Sequence, residues 1–381
     1  MKRMNLLKWI ALPVSLVAIV GCGGNKTEYT INGTLTDEAF EGANIYMFDI
    51  ENSSEKLDSA VVTNGSFTFN GKLEKPMMTT LVALSKDNKN RVIDCVLEKG
   101  SITIDLDERM VSGTTLNEGL QQMMKDFYEV LEQHEKDYEQ LVMLYNESQT
   151  SPSKENRDVA KTKYDSILAI NKTKEIAPFE KAYDENADNI LGAFALNQIV
   201  LYKRMYKDIN FTQLDSILAT ATPVVKNFSL ITAELESMRN LEKTSVGKPY
   251  TDLDLLEGEA MTATKLSQHI DGKVALIDFW ASWCGPCREE IPNIAEMHKK
   301  YTDKGLIVIG LNVWDKPEAK QKTIEAMNMT WLQLADSTKT ATDVYGISGI
   351  PHIMLIDKDG TILVRDLRGE AIEAAIVEAL K

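Results

Sequence analysis

The C-terminal third of this 381-residue chain predicts an α/β domain, preceded by a helical region and a small mostly-β domain. Three observations carry that reading. Over residues 250–380, apolar runs of strand length alternate with amphipathic stretches, the pattern of strands covered by helices. From Leu120 to Tyr145 an apolar or aromatic residue recurs at spacings of three and four, the seam of a long helix. Over residues 27–112, apolar and polar residues alternate with period two, as half-buried strands require.

Charge narrows the partners. The chain carries −15; residues 1–21 hold Lys2, Arg3 and Lys8 and no acid, so the remainder stands at −18 (−15 − 3). Such acidity argues against a nucleic-acid partner and for a soluble envelope domain.

In chain order, residues 1–21 read as a signal peptide, with a basic start and an apolar stretch too short to span a membrane comfortably. They end in Ile19-Val20-Gly21 before Cys22, and residues 22–26 make a glycine-rich tether. In the β domain, 27–112, Tyr29, Ile31, Gly33 and Leu35 alternate with polar residues. Asn64-Gly65 is a two-residue hairpin signal, and Lys99-Gly100 is the turn between two later strands. Cys95 falls on an apolar strand face and reads as a buried, inert thiol.

The helical region, 113–243, opens with the stripe Leu120, Met124, Phe127, Leu131, His134, Tyr138, Leu141 and Tyr145. Ser151-Pro152-Ser153 ends it. A charged second helix follows, disturbed near Pro178, and a third carries Leu191, Phe194, Ala195, Leu201 and Met205. Two shorter helices lie either side of Pro223. The Met and Tyr side chains are expected in the core, with an adaptable peptide-binding groove as the alternative. His134 is expected as a core or seam residue.

The final domain, 244–381, is organised around Trp283-Cys284-Gly285-Pro286-Cys287. The apolar run 274–280 precedes it as a strand, and an amphipathic helix follows. Cys284 therefore stands at a helix N-terminus, where free N–H groups and the helix dipole stabilise a thiolate. That makes Cys284 the attacking sulfur and Cys287, one turn on, the resolving one. A zinc site needs two further ligands, and only Cys22 and Cys95 remain, far away in sequence; no metal is expected.

The segment from Asp278 to Cys287 resembles the active site of thioredoxins, and Gly349-Ile350-Pro351 resembles their cis-proline loop. The resemblance covers about the last third of the chain. A helix inserted over 317–328 before Trp331 is similar to the membrane-tethered TlpA/ResA-like thiol-disulfide oxidoreductases. This implies a thioredoxin-like fold and a cis Pro351. It implies a substrate surface of Trp283, Gly285, Pro286, Ile350 and Pro351. Asp278 would lie beneath Cys287 as its proton acceptor, and Glu290 would tune the thiols. His352 departs from the family's small hydroxyl residue, and is expected either against Cys284 or on the surface. No cofactor is required. The implied partners are protein disulfides and an unidentified electron donor. Ile19 to Cys22 resembles a bacterial lipobox, which implies acylation of Cys22 and a membrane held through lipid. The address is then the envelope, periplasm-facing, with the outer membrane favoured because Gly23 is not acidic. The β domain resembles those that precede thioredoxin domains in envelope lipoproteins. Two other readings stand beside this one. A thiol peroxidase would carry threonine where Ala281 stands. A scaffold lipoprotein would give the cysteines a minor role.

Overall fold

The structure is a computed structural model that describes residues 28–87, 89–336 and 340–381. The expected signal peptide, tether and Cys22 lie outside the described residues. The chain divides into two compact units at Tyr128/Glu129.

The first unit contains β1 (Glu28–Thr34), β2 (Asn44–Asp49), β3 (Asn52–Val61), β4 (Ser66–Lys72), β5 (Met77–Leu84), β6 (Asn90–Leu97), β7 (Gly100–Asp105) and β8 (Met110–Ser112). They form two four-stranded sheets, ordered β4-β1-β7-β8 and β3-β2-β5-β6. Period-two alternation buries Ile31, Phe67, Phe69, Ile102 and Ile104 in one, and Ile45, Met47, Leu81, Ile93 and Cys95 in the other.

The Asn64-Gly65 turn forms, but its arms are not a paired hairpin. Both residues have positive φ, 52° and 67°, and Thr63 and Ser66 exchange backbone hydrogen bonds of 2.9 and 3.1 Å. Beyond the turn, Val62 N–H donates to Ala43 O and stays with β2's sheet, while β4 runs antiparallel to β1. The turn fixes the local reversal; burial of the flanking strands decides their partners. Lys99-Gly100 switches sheets in the same way, between β6 and β7. Cys95 is fully buried and unbridged. Burial pushes its thiol up to about 12, against the hydrogen bond with Thr79. The burial expected from its strand face is present.

Six helices follow: α1 (Thr115–Thr150), α2 (Lys154–Asn186), α3 (Ile190–Met205), α4 (Phe211–Thr220), α5 (Pro223–Lys226) and α6 (Ser229–Lys243). α1 starts in the first unit, where Asn117 accepts from Val96 N–H at 2.9 Å and donates to Val96 O at 2.8 Å. α2 runs unbroken through Pro178, which is buried; the helix packs on α3, with Phe179 and Tyr202 rings 5.7 Å apart. The α1 stripe is only partly core. Leu120 and Phe127 are buried, but Tyr138 and Tyr145 are 65% and 51% exposed. At that level Tyr145 meets Tyr164 of α2, and a single neighbouring helix covers only one flank of each ring. Leu201 and Met205, at the end of α3, are also exposed. His134 occupies the α1–α2 seam, its Nδ1 2.9 Å from Glu175.

The rest of the second unit is an α/β thioredoxin-like domain. Its elements are β9 (Asp254–Glu257), β10 (Thr262–Lys265), α7 (Ser267–Ile270), β11 (Val274–Trp280), α8 (Gly285–Tyr301), β12 (Leu306–Asn312), α9 (Pro317–Ala326), β13 (Leu332–Ala335), α10 (Thr340–Val344), β14 (His352–Ile356), β15 (Ile362–Val364) and α11 (Glu370–Ala379). Seven strands form one mixed sheet, β10-β9-β13-β12-β11-β14-β15. β11 lies inside the sheet, parallel to β12 and antiparallel to β14. All its residues are buried, so its run is apolar without alternation except at Asp278. Leu276 and Trp280 face Ile291 and Ile294 of α8 and Ile372 of α11. Ala275, Ile277 and Phe279 face Ile270, Ala341 and Tyr345 on the other side. By the same alternation Asp278 belongs to the α8 face. No helix among the described residues is long and apolar enough to cross a membrane.

Candidate active site

β11 ends at Trp280, and α8 begins at Gly285 with Cys284 as its N-cap. Cys284 N–H donates to Ala281 O at 3.1 Å, and Cys287 N–H donates to Cys284 Sγ at 3.2 Å. The two sulfurs are bonded, so this is the oxidised form. Cys284 is 4% exposed and Cys287 0%. Of the two residues, only Cys284 keeps any exposure.

The turn ahead of Cys284 is held from across the sheet. Asp315, three residues past β12, accepts from Ser282 N–H at 2.6 Å and from Ser282 Oγ at 2.8 Å. Burial pushes the Asp315 carboxyl up, but these bonds and one from Asn312 hold it below the usual range. Trp283 is 62% exposed, its indole N–H donating to Trp314 O at 3.0 Å.

Ile350–Pro351 is cis, as the resemblance implied. Pro351 lines a groove of about 540 Å³ together with Pro286, Glu289, Glu290, Arg368 and Glu370. The structure thus brings the cysteine turn and the proline loop to one surface, though they are far apart in sequence.

On β11, Asp278 is 1% exposed, and neither carboxylate oxygen has a hydrogen-bond partner among the described residues. Burial pushes its carboxyl up to about 7; the Arg368 charge opposes this and the Glu290 charge assists it. Glu290, on the second turn of α8, accepts from Gly369 N–H at 3.1 Å and from Asn293 Nδ2 at 3.4 Å. It therefore ties α8 to the residue that opens α11.

Known proteins and family models match parts of the chain in sequence. The AhpC/TSA family matches residues 246–365, and a domain of unknown function (DUF4369) matches residues 29–120. The thiol:disulfide interchange protein HelX of Rhodobacter capsulatus is 31% identical over 141 residues, 37% of this chain and 69% of that protein. The thiol-disulfide oxidoreductase ResA of Bacillus anthracis is 30% identical over 142 residues, 37% of this chain and 79% of that protein. The chain belongs to the thiol-disulfide oxidoreductases of the ResA and HelX family. A solved structure described as a putative thiol:disulfide interchange protein DsbE from Chlorobium tepidum covers 36% of this chain and 99% of its own, at 32% identity and a TM-score of 0.34.

Two features of this oxidoreductase differ from expectation. His352 neither meets Cys284 nor lies free on the surface. It pairs with Phe279 along β14 and packs edge-on against that ring at 6.0 Å, on the sheet face away from α8. Alternation along the strand decides this. Its Nε2 accepts from Arg365 Nε at 3.3 Å; burial and then the Arg365 charge push its pKa down to about 4. Nothing local in the sequence places a charge beside Asp278, yet it lies in the field of Arg368, which also donates to Pro351 O and to Leu367 O. Arg368 and Asp315 were missed because only folding brings them to the motif. No local spacing marks either one.

Proposed function

We propose that this oxidoreductase reduces disulfides of proteins in the bacterial cell envelope, held to the membrane through an acylated Cys22. The observation that carries the reading is the Cys284–Cys287 pair at the N-terminus of α8, with the buried carboxyl of Asp278 on the strand that leads into it. The proposed cycle starts from the dithiol. Cys284 thiolate attacks one sulfur of a substrate disulfide; that S–S bond breaks, a substrate thiolate leaves, and a mixed disulfide forms. Asp278 takes the proton from Cys287, whose thiolate then attacks Cys284 Sγ. The mixed disulfide breaks, the second substrate thiol leaves, and the Cys284–Cys287 disulfide remains. The substrate has gained two electrons and two protons. A dithiol on another protein must return them, since the chain carries no flavin or nicotinamide fingerprint.

In this reading Trp283, Gly285, Pro286, Ile350 and Pro351 form the substrate-facing rim, and Glu290 tunes the thiols by fixing α8 to Gly369 and adding charge near Asp278. Residues 1–21 are cleaved, 22–26 tether the protein, and 27–112, 113–243 and 244–381 are successive domains. An outer-membrane address fits the non-acidic Gly23.

The test is trapping. Cys287→Ser removes the resolving thiol, so mixed disulfides on Cys284 should accumulate and be identified by mass spectrometry of non-reduced complexes. Cys284→Ala should trap none. Equal recovery from both variants would remove Cys284 as the attacking residue.

A further inference from the structure

We propose that the helical region supplies a second wall of the substrate site, and that the cleft it makes binds an extended, apolar polypeptide segment next to the substrate's cysteine. The proposal rests on the disulfide-reductase reading and adds the feature that selects among disulfides.

The cleft has a volume of about 1090 Å³ and runs between α3, α4 and α6 on one side and the 346–352 loop on the other. All of it lies within the second compact unit. Leu201, Met205, Phe211, Leu241 and Ile350 give it an apolar stretch, bordered by charged residues that include Lys207, Glu242, Asp366 and Arg368. Leu201, Met205 and Leu241 are 40%, 63% and 39% exposed. Exposed large apolar side chains gathered in one concavity mark a contact surface, whereas scattered ones do not. The Met205 side chain adapts to different neighbours, which suits variable sequences.

Continuity with the redox centre says what enters. Pro351 and Arg368 line both this cleft and the smaller groove that contains Pro286 of the cysteine turn. A polypeptide joined through its cysteine to Cys284 would pass Pro351 and continue into the cleft. A small disulfide has no chain to place there. The walls are held in position before any substrate arrives. Arg365 donates to Thr244 O at 2.8 Å and to Tyr345 O at 2.6 Å, joining the end of α6 to the residues ahead of the proline loop. Arg204 of α3 is ion-paired to Glu234 of α6, and Asn210 caps α4 with a reciprocal bond pair to Gln213. Pre-organised walls lower the ordering cost of binding.

The test uses the full chain and two labelled peptides. One has leucine, valine and phenylalanine around a serine that stands for the cysteine; in the other, serine and aspartate replace the apolar residues. By fluorescence anisotropy the protein should bind the apolar peptide at least about tenfold more tightly than the polar one. The double variant Leu201→Glu/Met205→Glu should lose that preference, and Met205→Glu alone should lose part of it. Both positions are exposed, so folding should be retained, checked by circular dichroism. Equal affinity for the two peptides, no binding by the wild type, or an unchanged preference in the variants would overturn the proposal. A wild-type dimer that the double variant dissociates in sedimentation would assign the cleft to a second copy, and would overturn it too. Reduction of a small aromatic disulfide is followed in parallel and should be the same in all three proteins. Its absence from the wild type would end the reductase reading, while the peptide affinities would still judge the cleft.

Discussion

Asp278 shows what a single buried carboxyl does in a strand that is otherwise apolar. Its pKa of about 7 lies near the pH at which a thiol must lose its proton, the condition for efficient general-base work. The same burial costs stability in one pH window. The unfolded chain loses this proton near the model-peptide value of about 3.9, and the folded protein holds it up to about 7. Between those values the folded state binds more protons, so stability falls as pH rises, and above about 7 the full penalty is present. At 1.36 kcal/mol per unit, a shift of this size corresponds to roughly 4 kcal/mol at most. Asp278→Asn has no charge to bury. The melting temperature of the oxidised variant, relative to wild type, should therefore rise from pH 5 to pH 8. An equal difference at both pH values would mean that Asp278 is not titrating in this window. In stopped flow, resolution of the mixed disulfide should slow by about tenfold or more, with attack by Cys284 less affected. Unchanged resolution in the folded variant would leave Glu290 or water as the acceptor.

At the scale of elements, the join between α6 and the proline loop turns on one glycine. Gly346 has φ of +60°, and a Cβ there would lie 2.5 Å from Ser237 O and 2.6 Å from Leu241 N. Both are backbone atoms of α6, so Gly346→Ala must move the helix or the loop and adds a left-handed alanine besides. The melting temperature should fall by about 4 °C or more, a loss of roughly 2 kcal/mol in a unit of this size. Gly285→Ala is the control: its Cβ meets open space, at the first turn of α8, and stability should be unchanged. Equal melting temperatures for the two variants would show that α6 does not pack on the loop as described. This join also marks the limit of what the sequence reveals. Strand 274–280 and the helix after Cys287 were legible because each is specified by its own period. The fate of Asn64-Gly65 was not, because a local turn does not name its strand partner. Tyr138 and Tyr145 misled for a related reason. A heptad stripe shows where a helix can pack, but how many neighbours arrive is a tertiary fact. The cysteines and Pro351 were readable as chemistry, whereas Arg368 and Asp315 act through space across many residues and left no local trace.

For the whole molecule, the question is where a chain of this charge does its work. After residues 1–21 the net charge is −18, which keeps the protein off anionic lipid surfaces unless something covalent holds it. The acidic balance and the expected acylation therefore make opposite contributions, and only the second can anchor. A single acyl chain binds a bilayer at only about 10⁴ M⁻¹, so stable anchoring needs more than one. Cys22 as an acylated N-terminus would supply the two or three chains its lipobox-like context implies. Cys22→Ser should move the protein from the membrane to the soluble fraction with its disulfide-reducing activity intact, while Cys284→Ala should stay in the membrane fraction and lose that activity. The pair separates attachment from chemistry. If Cys22→Ser remains membrane-bound after a high-salt wash, the attachment lies in a protein partner or another segment, and Cys22 plays no part in it. If Cys22→Ser is released but inactive towards protein disulfides and active towards small ones, the membrane itself, or a donor held there, completes the site.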